Sequence, residues 1–188
     1  MFELAYTLTD TIEIDGKDYG IDLSFDNVLR LFDLLSDEEV DNKTQIETAL
    51  IMLLDVDLDY DIEKKAELFY DIFDKTIGTE KEEEQEFDIE GNPMPSMDNN
   101  SDGEDAKYDF KQDADYIYAS FWQCYGINLH DQHGILHWDQ FKSLLGGLSE
   151  DTIFKQIVGI RAAELPTGKG TAKERERLEK QKRRYRLK

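Results

Sequence analysis

The chain has 188 residues, with 43 Asp and Glu against 22 Lys and Arg, a formal net charge of -21. At 39% apolar composition it can support a core, so wholesale disorder is excluded, and the length suits one domain or two small ones. The longest apolar run, residues 49–54, is far short of the ~20 needed to cross a bilayer, and the single Cys124 excludes an intrachain disulfide and a thiolate metal site.

Residues 3–23 alternate apolar and polar positions around Asp15-Gly16, the turn pair of a two-residue hairpin loop, and predict a β-hairpin. The period then changes. Phe25, Val28, Leu29, Phe32 and Leu35 follow at spacings of three and four after Ser24, a candidate N-cap. A second helix is expected near 42–54 and a third near 61–77, with Gly78 placed to end it. Between them Asp55, Asp57, Asp59 and Asp61 alternate, but a calcium loop would need glycine where Tyr60 stands and glutamate where Ala66 stands. Their expected work is capping and solvating a turn.

From 79 to 106 the periodicity stops: eleven of 28 residues are acidic, one is basic, and turn formers recur. Such a segment cannot bury enough apolar surface to offset its ordering entropy, so a disordered acidic linker is expected. Periodicity resumes near Asp109. Phe110, Ala114, Ile117, Phe121 and Cys124 mark one helical face with Tyr118, Trp122 and Tyr125 beside it, and Gly126 can end that helix. Residues 127–136 read as a connecting loop. A helix with Trp138, Phe141, Leu145 and Leu148 follows, then another after Ser149 as N-cap, ended near Pro166.

Residues 166–188 carry ten basic and three acidic side chains and read as a separate basic tail. The expected organisation is therefore mainly α. A hairpin plus three-helix module spans 1–78, the acidic linker 79–106, a small aromatic-rich helical module 107–165 and the basic tail 166–188.

Chemistry-bearing motifs are sparse. His130, His133 and His137 fall within eight residues, yet only Asp131 and Asp139 accompany them and no His-Glu-x-x-His helix is present. Gly168-Lys169-Gly170-Thr171 lacks the first glycine and the final Ser or Thr of a phosphate loop. No nucleophile motif occurs, so no enzyme activity, metal or cofactor is expected. Lys180, Lys182, Arg183, Arg184 and Arg186 of the tail could contact phosphates, an alternative reading as a nucleic-acid-associated protein, but the acidic body opposes the approach of a polyanion.

The stretch Tyr116 to Leu129, ending its helix in Tyr-Gly-Ile, followed by Trp138-Asp139-Gln140-Phe141, Leu144-Leu145 and Ile160-Arg161, resembles the C-terminal part of tail-assembly chaperones of long-tailed bacteriophages. The hairpin Ile12 to Tyr19 with its helices is similar to a phage protein family of Gram-positive hosts encoded beside the tape-measure gene. The resemblance implies a non-enzymatic protein of the host cytoplasm, absent from the mature virion, that transiently coats the tape-measure protein and recruits tail-tube subunits. Self-association stays open as a further contact, and no membrane partner is implied. A helical module with aromatic anchors suits such a partner, and Tyr118, Trp122, Tyr125, Trp138, Phe141 and Leu145 are the candidate contacts. Phe110, Ile117, Phe121, Trp138 and Phe141 carry a second reading, as core.

Overall fold

The computed structural model describes residues 8, 10–78, 107–168 and 170–188. The expected acidic linker, 79–106, lies outside the described residues. The chain is mainly helical, with one two-stranded hairpin among the described residues, and groups into two compact units. One takes Met1–Glu82 and His130–Ser143, the other Glu83–Leu129 and Leu144–Lys188. These units do not coincide with the segments 1–78 and 107–165 drawn from the sequence, because residues 130–143 group with the first.

In the first unit, β1 (Thr11–Ile14) pairs antiparallel with β2 (Lys17–Gly20), Ile14 opposite Lys17. Asp15 and Gly16 both have positive φ, 49° and 78°, the requirement of a type I′ loop whose twist matches that of the strands. Ile14 and Ile21 are buried, so the alternation read from the sequence is the alternation of the pleat. Three helices follow: α1 (Phe25–Leu35), α2 (Asn42–Leu54) and α3 (Ile62–Thr76), each packed on the next. Phe25, Val28 and Leu31 of α1, Leu50 and Leu53 of α2, and Phe69 and Ile72 of α3 form the core.

Local polar chemistry fixes these helices. The carboxylates of Asp41 and Asp61 accept the backbone N–H groups of Thr44 and Lys64, capping α2 and α3. Asp55 ends α2 in the left-handed conformation, and Asp57 accepts from Lys65 at 2.9 Å, so three of the four alternating aspartates are engaged in capping, turning and pairing. Ser24 stands at the N-cap of α1, but its hydroxyl donates to Asp22 at 2.6 Å and caps nothing. Asn27 joins two elements, its amide donating to the carbonyls of Asp22 and Met52.

Residues 130–143 complete this unit. Ser24 and His137 form an antiparallel bridge, in which Phe25 N–H donates to Leu136 O at 2.9 Å and Trp138 N–H to Leu23 O at 2.7 Å. Helix α5 (Trp138–Gly146) then brings Trp138 and Phe141 into the core. Phe141 stacks on Phe25 at 5.0 Å, and Phe32 meets Trp138 edge-on at 5.6 Å. The stretch read as a plain connector thus contributes a 3-10 turn, Leu129–Gln132, and a backbone pairing.

The second unit is built on α4 (Ala114–Tyr125), α6 (Ile153–Ala162) and α7 (Ala172–Arg184). Gly126 ends α4 with φ 67°, as the sequence suggests. The N-cap of α6 is Thr152 and not Ser149, which instead offers its carbonyl to the Thr152 hydroxyl. Ser120, fully buried on α4, donates to Tyr116 O and accepts the Phe154 N–H, so one helix satisfies an end group of another. Tyr108 packs edge-on against Phe154.

The basic segment is not detached. Helix α7 packs on α6, Lys182 Nζ donates to Arg161 O at 2.8 Å, and Arg161 Nε donates to Tyr185 O. Gln112 and Lys188 exchange two hydrogen bonds, and Tyr185 lies edge-on to Tyr116. Helical propensity alone would leave a 13-residue segment marginal, whereas docking on α6 supplies the missing stabilisation.

Candidate protein-interaction site

The predicted contact residues divide by burial. Trp138 and Phe141 lie in the core of the first unit and Leu145 is buried in the second, so these three are packing residues in this fold. Their periodicity arose from core packing, the second reading the sequence allowed for Trp138 and Phe141. The remaining three belong to α4.

Trp122 is 56% exposed, unusual for the largest apolar side chain. It stands on the solvent face of α4 with exposed Asp115 and Ala119 at positions i-7 and i-3, and Ala119 is too small to shield an indole. Tyr118 and Tyr125, at i-4 and i+3 from Trp122, are half-buried along one edge of that face. Tyr118 donates to Asn128 Oδ1 at 3.2 Å, and Tyr125 donates to Leu144 O at 2.8 Å. Burial, followed by the neighbouring Cys124, pushes the Tyr125 hydroxyl above its ordinary value, which keeps it a neutral donor. The tyrosines therefore act as struts, and Trp122 is what a partner would meet.

The expected basic contacts are also sorted by the fold. Lys182 is committed to the Arg161 carbonyl, while Lys180, Arg183, Arg184 and Arg186 are exposed. Arg184 lies over the Tyr185 ring.

The histidines are placed for structure. His137 is buried, its Nδ1 accepts the Asp139 N–H at 3.0 Å as a cap of α5, and its Nε2 donates to Asp10 Oδ1 at 3.0 Å. Both ring nitrogens are thereby used. His130 and His133 meet edge-on, and His133 approaches Phe25. Among the described residues no three His, Cys, Asp or Glu side chains converge as a metal ion would require, and no helix is long and apolar enough to cross a membrane.

Among the described residues, sequence reading missed three exposed apolar positions, the least exposed being Ile51 on α2 at 43%. Ile135 is 71% exposed on a turn held by Gly134 N–H donating to Asp26 Oδ1 at 2.8 Å. Tyr70 is 62% exposed on α3. A helical wheel of α3 would have separated Tyr70 from the buried Phe69 beside it; nothing in the sequence distinguishes Ile135 from a core residue.

A family model described as Bacteriophage Gp15 protein matches residues 4–187, nearly the whole chain. The chain belongs to the bacteriophage Gp15 protein family. The match runs through both units of this Gp15 protein and through α7, so the basic segment is part of the family's sequence and not an appendage. No curated protein and no solved structure matches it.

Proposed function

We propose that this Gp15-family protein is a non-enzymatic tail-assembly chaperone of a long-tailed bacteriophage that binds the tape-measure protein transiently and helps recruit tail-tube subunits. The observation that carries the reading is Trp122, a tryptophan held on a rigid helix with more than half of its surface in water. Exposed tryptophans are the commonest energetic anchors of protein interfaces, and an amphipathic helix offers the apolar stripe that such an anchor meets. A tape-measure protein is long, largely helical and in need of shielding until the tube encloses it.

Reversibility follows from the small size of the anchor. One indole flanked by tethered tyrosines gives a modest contact, and many such contacts along a long partner hold by avidity yet release stepwise as tube subunits arrive. The strong negative charge of the free protein limits nonspecific clustering while it waits. On this reading the protein works in the host cytoplasm, on a phage encoded for Gram-positive hosts, and leaves before the virion is complete.

Co-expression with the tape-measure protein encoded by the neighbouring gene tests this. A soluble complex that survives high salt on size exclusion, and that is lost with Trp122→Ala, is the expected result. A tape measure that stays insoluble while this protein elutes alone at both salts would remove the reading.

A further inference from the structure

Two exposed helix faces in this chain carry opposite charge at the same spacing. On α7, Lys173, Arg177, Lys180 and Arg184 fall at i, i+4, i+7 and i+11, all four exposed. On α3, Glu63, Glu67, Tyr70 and Asp74 fall at the same intervals, again all exposed. Each stripe is about 16 Å long at 1.5 Å per residue. The packed sides explain the faces: Lys65, Phe69 and Ile72 turn α3 inward, while Leu178, Glu179, Gln181 and Lys182 are the half-buried positions of α7. Neither Lys173, Arg177 and Lys180 nor Glu63, Glu67 and Asp74 form an ion pair among the described residues.

The charge is uneven between the units in the same sense. Residues 1–82 and 130–143 hold 25 acidic and eight basic side chains, and residues 83–129 and 144–188 hold 18 acidic and 14 basic, ten of the basic ones within 166–188. We infer that the α7 stripe docks the α3 stripe of a second copy of this chain, cations against carboxylates with Tyr70 beneath a Lys or Arg as a cation–π partner.

Each contact joins the α7 stripe of one copy to the α3 stripe of another. Two copies that make it reciprocally about a two-fold axis close as a dimer, whereas a one-way contact leaves the pair with one unused stripe of each sign and builds a ring or an open array. The inference stands whether or not the tape-measure protein is the partner.

Long-range repulsion between copies of charge -21 is the opposing force. At about 0.1 M salt the Debye length is about 10 Å, so distant charges are screened while contacts a few ångströms apart persist; at about 1 M, where it is about 3 Å, the stripes are screened as well.

The test is size exclusion with light scattering of the full chain, nuclease-treated, at these two salts. Concentration-dependent oligomers at about 0.1 M that dissociate at about 1 M are expected. Arg177→Glu with Lys180→Glu should weaken association on the order of tenfold, and so should Glu63→Lys with Glu67→Lys. Mixing the two variants should restore association, since the reversed α7 of one then matches the reversed α3 of the other. Circular dichroism confirms that all variants keep their helices, as exposed positions should. A wild-type chain that stays monomeric at about 0.1 M overturns the inference. It also fails if only the α7 variant loses binding and nuclease abolishes it, the signature of a nucleic acid partner, or if the mixture does not associate.

Discussion

Arg161 and Asp113 form a two-point ion pair in which Nη2 donates to Oδ1 at 2.8 Å and Nη1 donates to Oδ2, with Asp113 only 1% exposed. The same guanidinium donates to the carbonyls of Lys107 and Tyr185, and the Arg161 carbonyl accepts from Lys182. One residue therefore closes the start of α4, the end of α6 and the end of α7.

Removing one partner strands the other charge in a dry site, which costs about 3–5 kcal/mol. Arg161→Ala should lower stability by that amount and free α7. Denaturant unfolding reads the first effect, and trypsin cleavage within 172–184 at native conditions reads the second. Arg161→Lys should also fail, because an ammonium cannot reproduce the planar fork. Unchanged proteolysis in Arg161→Ala would show that α7 is held by its other contacts.

Trp122 and Phe141 should respond oppositely. Trp122→Ala removes an exposed side chain and should change stability by no more than about 0.5 kcal/mol, whereas Phe141→Ala empties a core position and should cost about 3–5 kcal/mol. Thermal denaturation beside co-elution with the tape-measure protein proposed as partner separates the two: on that proposal, loss of binding without loss of stability is expected only for Trp122.

Asp15 ties the hairpin loop to the start of α3. Its carboxylate accepts from Lys64 at 2.8 Å and Tyr60 at 2.6 Å. The Lys64 hydrogen bond, then that of Tyr60, lowers the Asp15 pKa below the ordinary 3.8, while Asp15 raises Lys64 above 10.5 and Tyr60 above 10.0. A lowered carboxylate contributes stability above pH 3.8 that is lost as pH falls through its folded-state value. Raised Lys and Tyr contribute below their ordinary values and lose it as pH rises through their folded-state values. The cluster thus supports the fold between the two limbs, weakly, because it is open to water. Asp15→Asn should flatten both limbs relative to wild type in denaturant midpoints measured from acid to alkaline pH; identical profiles would show that the contact has no energetic weight.

Ser120→Ala leaves the Phe154 N–H without its acceptor inside the second unit. A buried unsatisfied donor costs about 1–3 kcal/mol. Hydrogen exchange should speed up at the first turn of α6 before it does so on α4, and uniform exchange across both helices would contradict the capping role.

The local signals of the first 78 residues were readable because each rests on a short-range rule. Asp15-Gly16 can hardly be other than a tight loop, and the spacing of Phe25, Val28 and Phe32 has one helical meaning. What stayed hidden depends on partners distant in sequence. Trp138 and Phe141 look like an anchor pair until Phe25 and Phe32 are found against them. Ser24 and Ser149 are good caps by type, but Asp22 takes the hydroxyl of one and Thr152 displaces the other. The docking of α7 was equally invisible, since a lone Arg161 gives no hint that it meets Asp113. For the candidate site, the stripe on α4 was legible and the burial order among its aromatics was not.

The pairing of Leu23 and Phe25 with Leu136 and Trp138 also sets a timetable for synthesis. A ribosome that has released residue 78 still has 65 residues to add before 143, roughly 3–13 s at 5–20 residues per second. Throughout that interval Phe25 and Phe32 lack the Phe141 and Trp138 rings that later meet them, and the bridge joins Ser24 to a residue 113 positions further on (137 - 24), so its closure waits for the intervening chain to be made. The nascent chain is therefore at its stickiest midway through its own translation, and any product ending before residue 130 would keep that incomplete core for its lifetime.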